Sequence, residues 1–471
     1  MALFLPELAL ILMALVFFFA SLGNLKGSRL QAIGLLLAAA AVIVSAYSFG
    51  SKGSLFFDAY RIDAFSQAFK TIIIFGFFIV ICLGEGLYGI DDTLRPEYYL
   101  FLTISVFGLV SMSSAVELIT IILSLEISSF ALFIIIPFRK QGAYRKQMEA
   151  GIKYALFGVA ASGITLYGMS YIFGITHTTY LADLVKVVPG IILYNPLMLI
   201  GLVMLMSGFF YKLALFPMHF WAPDVYEGAA NESAGFIATL PKVGAVALLI
   251  RLIALAGVDI GQFTWVLMIF AVLSMTFGNL AALVQNDLKR LLAYSSIAHA
   301  GYVMVGLVCA SEFGYLSGIY YIAGYLLMNL ACFFVIYNLA PQGENVTFDD
   351  LAGLYKRSPL LALTMAVGAF GLAGIPPTIG FTGKLFLFTA AIKKDMYALV
   401  ILAVINTAIG VFYYLKIVRA TYRSVDSQLP RLNLKLSASV LGIFFIVIII
   451  LLGTFPEGFI DFAREAVAAI P

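Results

Sequence analysis

Oily runs about one bilayer thick recur along the whole chain, each closed by polar, glycine or proline residues. A helix needs about 20 apolar residues to cross the hydrocarbon core, and cutting at the polar breaks yields about fourteen such windows. Their centres lie near Met13, Leu37, Phe75, Val106, Ile127, Ile164, Met204, Ala247, Phe270, Val303, Leu330, Gly374, Ile405 and Phe445. The predicted fold is an all-α polytopic membrane protein. Prolines interrupt the seventh, eighth and twelfth spans, at Pro217, Pro241, Pro376 and Pro377.

Inside this pattern a motif repeats. Residues 208–216 read G-F-F-Y-K-L-A-L-F and residues 380–388 read G-F-T-G-K-L-F-L-F, six of nine positions matching, the lysine included. Four spans separate Lys212 from Lys384, so the two segments run in opposite directions through the bilayer. That is the mark of an inverted-topology repeat, the device of transporter folds whose ion sites sit at broken helices near the midplane. A weaker echo, S-L-E-I-S-S-F-A from Ser124 and S-S-I-A-H-A-G from Ser295, has a similar offset. The expected organisation is residues 1–96 (spans one to three), 97–257 (a first five-helix repeat, spans four to eight), 258–425 (a second, spans nine to thirteen) and 426–471 (span fourteen). Helices seven and twelve are expected to be broken, where prolines free backbone groups to face a watery cavity.

Composition agrees: 62% of the 471 residues are hydrophobic and 11% charged, with a mean hydropathy of +1.03, a balance foreign to soluble domains. The first segment carries Pro6 and Glu7 where a signal peptide would be basic, so it reads as a retained span. A net charge of +3, dispersed, gives no footing for nucleic acid. Cys82, Cys309 and Cys332 sit in apolar windows without paired spacing and read as packing residues. Basic residues favour the loops after odd-numbered spans: Lys26 and Arg29; Arg139, Lys140, Arg145 and Lys146; Lys289 and Arg290; Lys356 and Arg357; Arg419, Arg423, Arg431 and Lys435. The positive-inside rule makes those loops cytoplasmic and puts both termini outside.

A charge at the centre of a membrane helix costs about 2.5–3.5 kcal/mol on insertion scales, so each needs a partner or a task. Glu126, Lys212, Lys242, His299 and Lys384 all fall inside apolar windows. A Glu126–Lys212 staple would explain two of them and leave the other lysines without visible acidic partners. Desolvation favours the neutral form of a buried lysine or carboxylic acid, and an opposite charge nearby restores the charged form. Such groups together make a proton relay with an electrostatic switch. Glu117 is on the opposite face from Glu126 and reads as interfacial, Lys153 as a snorkelling or inward-facing residue, His177 as solvated, and His219 as a core histidine or a relay member. No cysteine cluster is present to hold an iron-sulfur centre, and redox cofactors have no visible home in the chain.

Three stretches resemble one family. Y-K-L-A-L-F-P-M-H-F-W-A-P-D-V-Y-E-G (residues 211–228), D-L-K-R-L-L-A-Y-S-S-I-A-H-A-G-Y (287–302) and G-I-P-P-T-I-G-F-T-G-K-L-F-L-F (374–388) are similar to signatures of the antiporter-like membrane subunits of respiratory complex I. The P-D-V-Y-E-G ending and the glycine-lysine pair resemble the subunit N branch. The resemblance implies a proton-translocating subunit of NADH:quinone oxidoreductase in a bacterial inner membrane. NADH, FMN, iron-sulfur clusters and quinone would be held by other chains, and the partners would be a neighbouring antiporter-like subunit and small hydrophobic subunits. It also implies roles: Glu126 and Lys212 as the coupling pair, Lys242 as central lysine, His299 as lateral link and Lys384 as exit. Where the family commonly writes G-A-P-x-P-V-T-A-F, this chain has G-A-A-N-E-S-A-G-F (228–236), gaining Glu232 in what reads as the loop before span eight. The alternatives are a subunit of a multi-subunit sodium/proton antiporter, which shares fold and lysines, and a scaffold that conducts nothing.

Overall fold

Inside a bilayer, backbone N–H and C=O groups find no water, and a single chain satisfies them best by turning helical. The computed structural model describes residues 2–23, 27–84, 86–140, 144–255, 261–424 and 430–470. Its helices are α1 (Leu5–Leu22), α2 (Gly27–Ser48), α3 (Ala64–Leu83), α4 (Arg95–Ser114), α5 (Leu118–Ile135), α6 (Tyr144–Thr176), α7 (Leu181–Ile192), α8 (Pro196–Leu205), α9 (Ser207–Leu213), α10 (Ala222–Gly228), α11 (Asn231–Leu255), α12 (Gly261–Leu283), α13 (Leu288–Leu307), α14 (Glu312–Leu339), α15 (Leu354–Arg357), α16 (Pro359–Ala373), α17 (Ile379–Ile392), α18 (Tyr397–Thr421), α19 (Leu436–Thr454) and α20 (Glu457–Val467). The all-α expectation misses one hairpin, β1 (Gly53–Leu55) with β2 (Tyr60–Ile62), antiparallel, pairing Ser54 with Arg61.

Among the described residues eleven helical stretches are long and apolar enough to cross a membrane. The windows centred on Val106 and Val303 fall on α4 and α13, each 20 residues long but diluted by serine, tyrosine and charge. The window at Gly374 is divided between α16 and α17, of 15 and 14 residues. α11 and α14 are buried on every side and pack on each other, whereas α1, α2 and α19 turn much of their surface outward. The chain thus surrounds two inner helices, and α11 is the one that carries Lys242.

Side-chain caps satisfy the first N–H groups of several helices. Asp63 accepts from Ser66 N at 2.8 Å, Glu117 from Thr120 N at 2.8 Å, and Asp287 from Arg290 N at 2.8 Å. The Asp287 cap corrects one expectation: Lys289 and Arg290 are in the first turn of α13, not in a loop, and Lys289 is wholly buried, donating to the Ala229 carbonyl at 2.8 Å. Arg290 instead reaches Asp224 at 2.6 Å and Glu227 at 2.9 Å. Lys153 likewise does not snorkel; it binds Asp224 at 2.5 Å and Glu149 at 2.6 Å. The stretch 228–236 is mostly helix, because α11 already begins at Asn231. An acidic residue in a first turn suits the helix dipole, and Glu232 occupies it. Lys26, the side chain of Arg145, and the domain cuts at 257/258 and 425/426 lie outside what the structure describes.

Of two ionic contacts that sequence reading missed, one joins α1 to α3 and the other ties the start of α3 to α11. Lys70 on α3 meets Glu7 on α1 at 2.6 Å with both side chains fully buried, and Tyr60 of β2 donates to the same carboxylate at 2.5 Å. Arg251, at the far end of α11, donates to both oxygens of Asp63 at 3.0 Å. Removing one member of a buried pair leaves an uncompensated charge, at about 3–5 kcal/mol. Lys70→Met is therefore expected to lower thermal stability in detergent by about that amount, while the double change Glu7→Leu/Lys70→Met should recover most of it. Equal melting temperatures for the single variant and the parent would contradict this.

Candidate functional site

Two helices break inside the apolar region, and they break alike. α9 ends at Leu213, Ala214 is left-handed (φ 59°), and Leu215 N bonds back to the Phe210 carbonyl at 2.8 Å. α16 ends at Ala373, Gly374 is left-handed (φ 84°), and Ile375 N bonds back to the Phe370 carbonyl at 2.9 Å. Each is a Schellman-type stop. In each, a proline in a cis peptide follows three residues after the left-handed residue, at Pro217 and Pro377.

A helix that stops in oil leaves carbonyls unpaired and the negative end of its dipole exposed. A lysine answers at each break. Lys242 of α11 donates to the Leu213 carbonyl at 2.6 Å. Lys384 of α17 donates to the carbonyls of Leu372 and Ala373 at 3.1 and 2.9 Å. Both side chains are 5% exposed or less. The partners of these two lysines are thus backbone oxygens, which no reading of residue types could have named.

Between them lies His299 on α13, buried, its Nδ1 at 2.7 Å from the Tyr321 hydroxyl and its Nε2 at 2.9 Å from that of Tyr414. Tyr414 continues to Ser295 at 2.5 Å. Tyr325 faces the imidazole ring at 5.2 Å and donates to the Ala238 carbonyl on α11 at 3.0 Å, one turn before Lys242. On the other side the Lys384 ammonium rests 4.8 Å over the ring of Tyr302, whose hydroxyl takes hydrogen bonds from Asn279 and Thr407, both at 3.3 Å. Lysine, tyrosine, histidine, tyrosine and lysine therefore form a polar seam across α11, α14, α13, α18 and α17. Sequence reading missed the tyrosines. The available signal was the pair Tyr321 and Tyr325 at i, i+4 on one face of an otherwise oily helix.

The expected Glu126–Lys212 ion pair is not formed. Lys212 donates to Ser128 on α5 at 2.9 Å, and Ser128 in turn meets Ser105 at 3.1 Å. Glu126, one residue pair earlier on the same helix, accepts from Ser162 of α6. It is only half-buried, on a face shared with exposed Ile119, Leu123, Phe130 and Ile134. The two side chains leave α5 on different sides, because positions two apart on a helix do not face one another. His219 is buried among Phe216, Phe220 and Phe277, with neither ring nitrogen hydrogen-bonded, and takes no part in the seam. His177 is exposed.

The family described as NADH:quinone oxidoreductase/Mrp antiporter, TM, matches residues 115–410, which include Glu126, Lys212, Lys242, His299 and Lys384. The chain belongs to that family. An NADH-quinone oxidoreductase subunit N 2 of Opitutus terrae is 47% identical over 470 residues, covering 99% of this chain and 98% of that one. A chain in a structure of respiratory complex I from Thermus thermophilus with bound aureothin is 28% identical, with a TM-score of 0.83 over 98% of this chain and 99% of its own. A chain of the Mrp complex from Dietzia sp. has the same fold, with a TM-score of 0.88 over 100% of this chain and 97% of its own, at 17% identity.

Within this family member, the glycine before Lys384 has a steric reason. A Cβ on Gly383 would lie 2.8 Å from the Tyr321 ring, so glycine lets α17 approach the tyrosine that holds His299. Gly383→Ala is expected to overpack the seam at a cost of about 1–3 kcal/mol, read as a lower melting temperature. Gly163→Ala, in an open helical position with nothing within 4 Å, should instead be neutral or slightly stabilising. Equal melting temperatures for the two variants would remove the steric argument.

Proposed function

We propose that this chain is a proton-translocating membrane-arm subunit of an NADH:quinone oxidoreductase in a bacterial inner membrane. The observation that carries the reading is the seam itself: two buried ammoniums, each at the carbonyl end of a broken helix, with a histidine and its tyrosines between them. A group that exchanges protons in oil must be stable in both charge states. The carbonyl ends hold an ammonium without an acidic partner, so the lysine becomes neutral on losing its proton and leaves no stranded anion behind. The family membership and the name of the 47% identical relative support the assignment to that complex.

In this reading Lys242 takes up a proton from the cytoplasmic side, and Tyr325, His299 and Tyr321 carry it sideways together with water. Lys384 releases it outward. Lys212, on the helix whose end Lys242 caps, transmits the state of Glu126, which receives the signal from a neighbouring antiporter-like subunit. Small hydrophobic subunits would complete the arm. Electron transfer, with NADH, FMN, iron-sulfur clusters and quinone, takes place in other chains. The chain crosses the membrane fourteen times, with residues 97–257 and 258–425 as inverted halves between spans at 1–96 and 426–471. The ends bearing Lys140, Lys146 and Arg290 are cytoplasmic, and both termini are periplasmic. The sodium/proton antiporter reading has the shared fold and the family's description on its side, while the 47% identical relative favours the oxidoreductase.

The test is proton transport per NADH in membrane vesicles carrying the whole complex. Lys242→Ala and Lys384→Ala are each expected to slow coupled NADH:quinone turnover on the order of 10²-fold, the range for losing a positioned proton-transfer group, and to lower protons moved per NADH. Assembled variants that pump like the parent would reduce the chain to a scaffold. Purification of the tagged chain without NADH:quinone reductase activity, but with sodium/proton exchange, would favour the antiporter.

A further inference from the structure

Glu232 is 1% exposed in the first turn of α11. One carboxylate oxygen accepts from Gly89 N at 3.3 Å, and the other has no hydrogen-bond partner. Unpaired polar atoms gather around it: the hydroxyls of Tyr98 and Ser233, Oδ1 of Asn231 and Nε of Arg139. Charged and titratable groups face it from every side, Lys289 from α13, Arg95, Tyr98 and Tyr99 from α4, and Arg139 from the turn after α5. Just beyond Gly89 a 330 Å³ cavity is lined by Tyr88, Asp92, Arg95, Lys140 and Gln342. It lies where α3, α5 and α14 end and α4, α11 and α13 begin, the side assigned to the cytoplasm above.

A carboxylate serving only as an anchor for Gly89 needs one oxygen. Here the second is buried, free and next to hydroxyls that are equally free, an arrangement that costs stability unless water or a moving proton uses it. The position also has a direction. Ten residues separate Glu232 from Lys242 on one helix, about 15 Å along its axis, and Thr239, seven residues on, stays on the Glu232 face.

We propose that Glu232 is the proton-loading group of this chain, the carboxylate that takes protons from the cytoplasmic cavity and passes them to Lys242. The inference rests on the relay reading above. A hydronium ion in the cavity gives its proton to the free oxygen of Glu232, leaving water and a neutral carboxylic acid. The acid then gives that proton, by way of water and the hydroxyls of Ser233 and Tyr98, to the neutral amine of Lys242, and the carboxylate and an ammonium result. No other bond changes, and charge balances at each step.

Glu232→Gln separates this role from anchoring, since the amide oxygen still accepts from Gly89 but cannot carry a proton. In the whole complex in native membranes, the variant is expected to assemble, to lower coupled turnover on the order of tenfold, and to alter the dependence of turnover on cytoplasmic pH. Glu232→Asp should recover part of the rate. In the parent complex, peptide mapping after treatment with a hydrophobic carbodiimide, which reacts with protonated buried carboxyls, should find an adduct on Glu232. If Lys242→Ala is impaired while Glu232→Gln keeps the parent's pumping and pH profile, Glu232 is an anchor and the inference is overturned. An unmodified Glu232 would overturn it as well, even if the Gln variant failed to assemble. Normal pumping by Lys242→Ala would instead bring down the relay reading beneath it.

Discussion

A helix that ends inside a membrane must have its last carbonyls satisfied, and here the ammonium of a lysine does it twice. The rest of the architecture follows from that constraint. Lys242 can cap α9 only because α11 is surrounded by other helices, and α11 stays surrounded because α3, α4, α9 and α14 pack around it. Lys384 caps α16 from the far side of its own break, so the Gly374–Thr378 turn folds α17 back within reach. Burial keeps water from competing for either carbonyl.

The repeated sequence and the repeated geometry pair the lysines differently. By sequence Lys212 matches Lys384, each in a G-F-x-x-K-L-x-L-F frame. By contact, Lys242 matches Lys384, because each sits on the carbonyl of the residue that precedes a left-handed stop. Lys212, which precedes its break by two residues, is held by the serines of α5 instead. An amine held by neutral hydroxyls is suited to respond to a charge such as Glu126, while an amine held by helix ends is suited to carry one. In the proposed relay, these two lysine environments would correspond to control and conduction.

What could be read in the sequence was what apolar length and proline placement determine. The windows around Met13, Leu37 and Phe75 fall on helices, and Pro217, Pro376 and Pro377 mark the two breaks, whereas Pro241, which reads as an interruption of the eighth span, lies inside the continuous α11. The buried residues with unusual chemistry were visible because lysine and glutamate are rare in oil. Their partners were not. Backbone carbonyls carry no residue identity, tyrosines in apolar helices look like packing, and Glu7 and Lys70 are too far apart in sequence for spacing to join them. Glu126 and Lys212 show the converse: opposite charges in neighbouring spans invited a pair, and the rotation of α5 between positions 126 and 128 separated them. The polar neighbours of Lys289 make it read as a loop residue, because they hide the start of α13.

The stripe of Ile119, Leu123, Phe130 and Ile134 has Glu126 in its middle. As a lone chain in a bilayer, this protein would turn a half-exposed carboxylate toward acyl chains, relieved only by Ser162. Among the described residues, Ser162 is the hydrogen-bond donor that meets that acid. In the proposed complex, a neighbouring surface laid over this stripe would take that carboxylate out of the acyl chains, so the cost of leaving it there would become part of the drive to assemble.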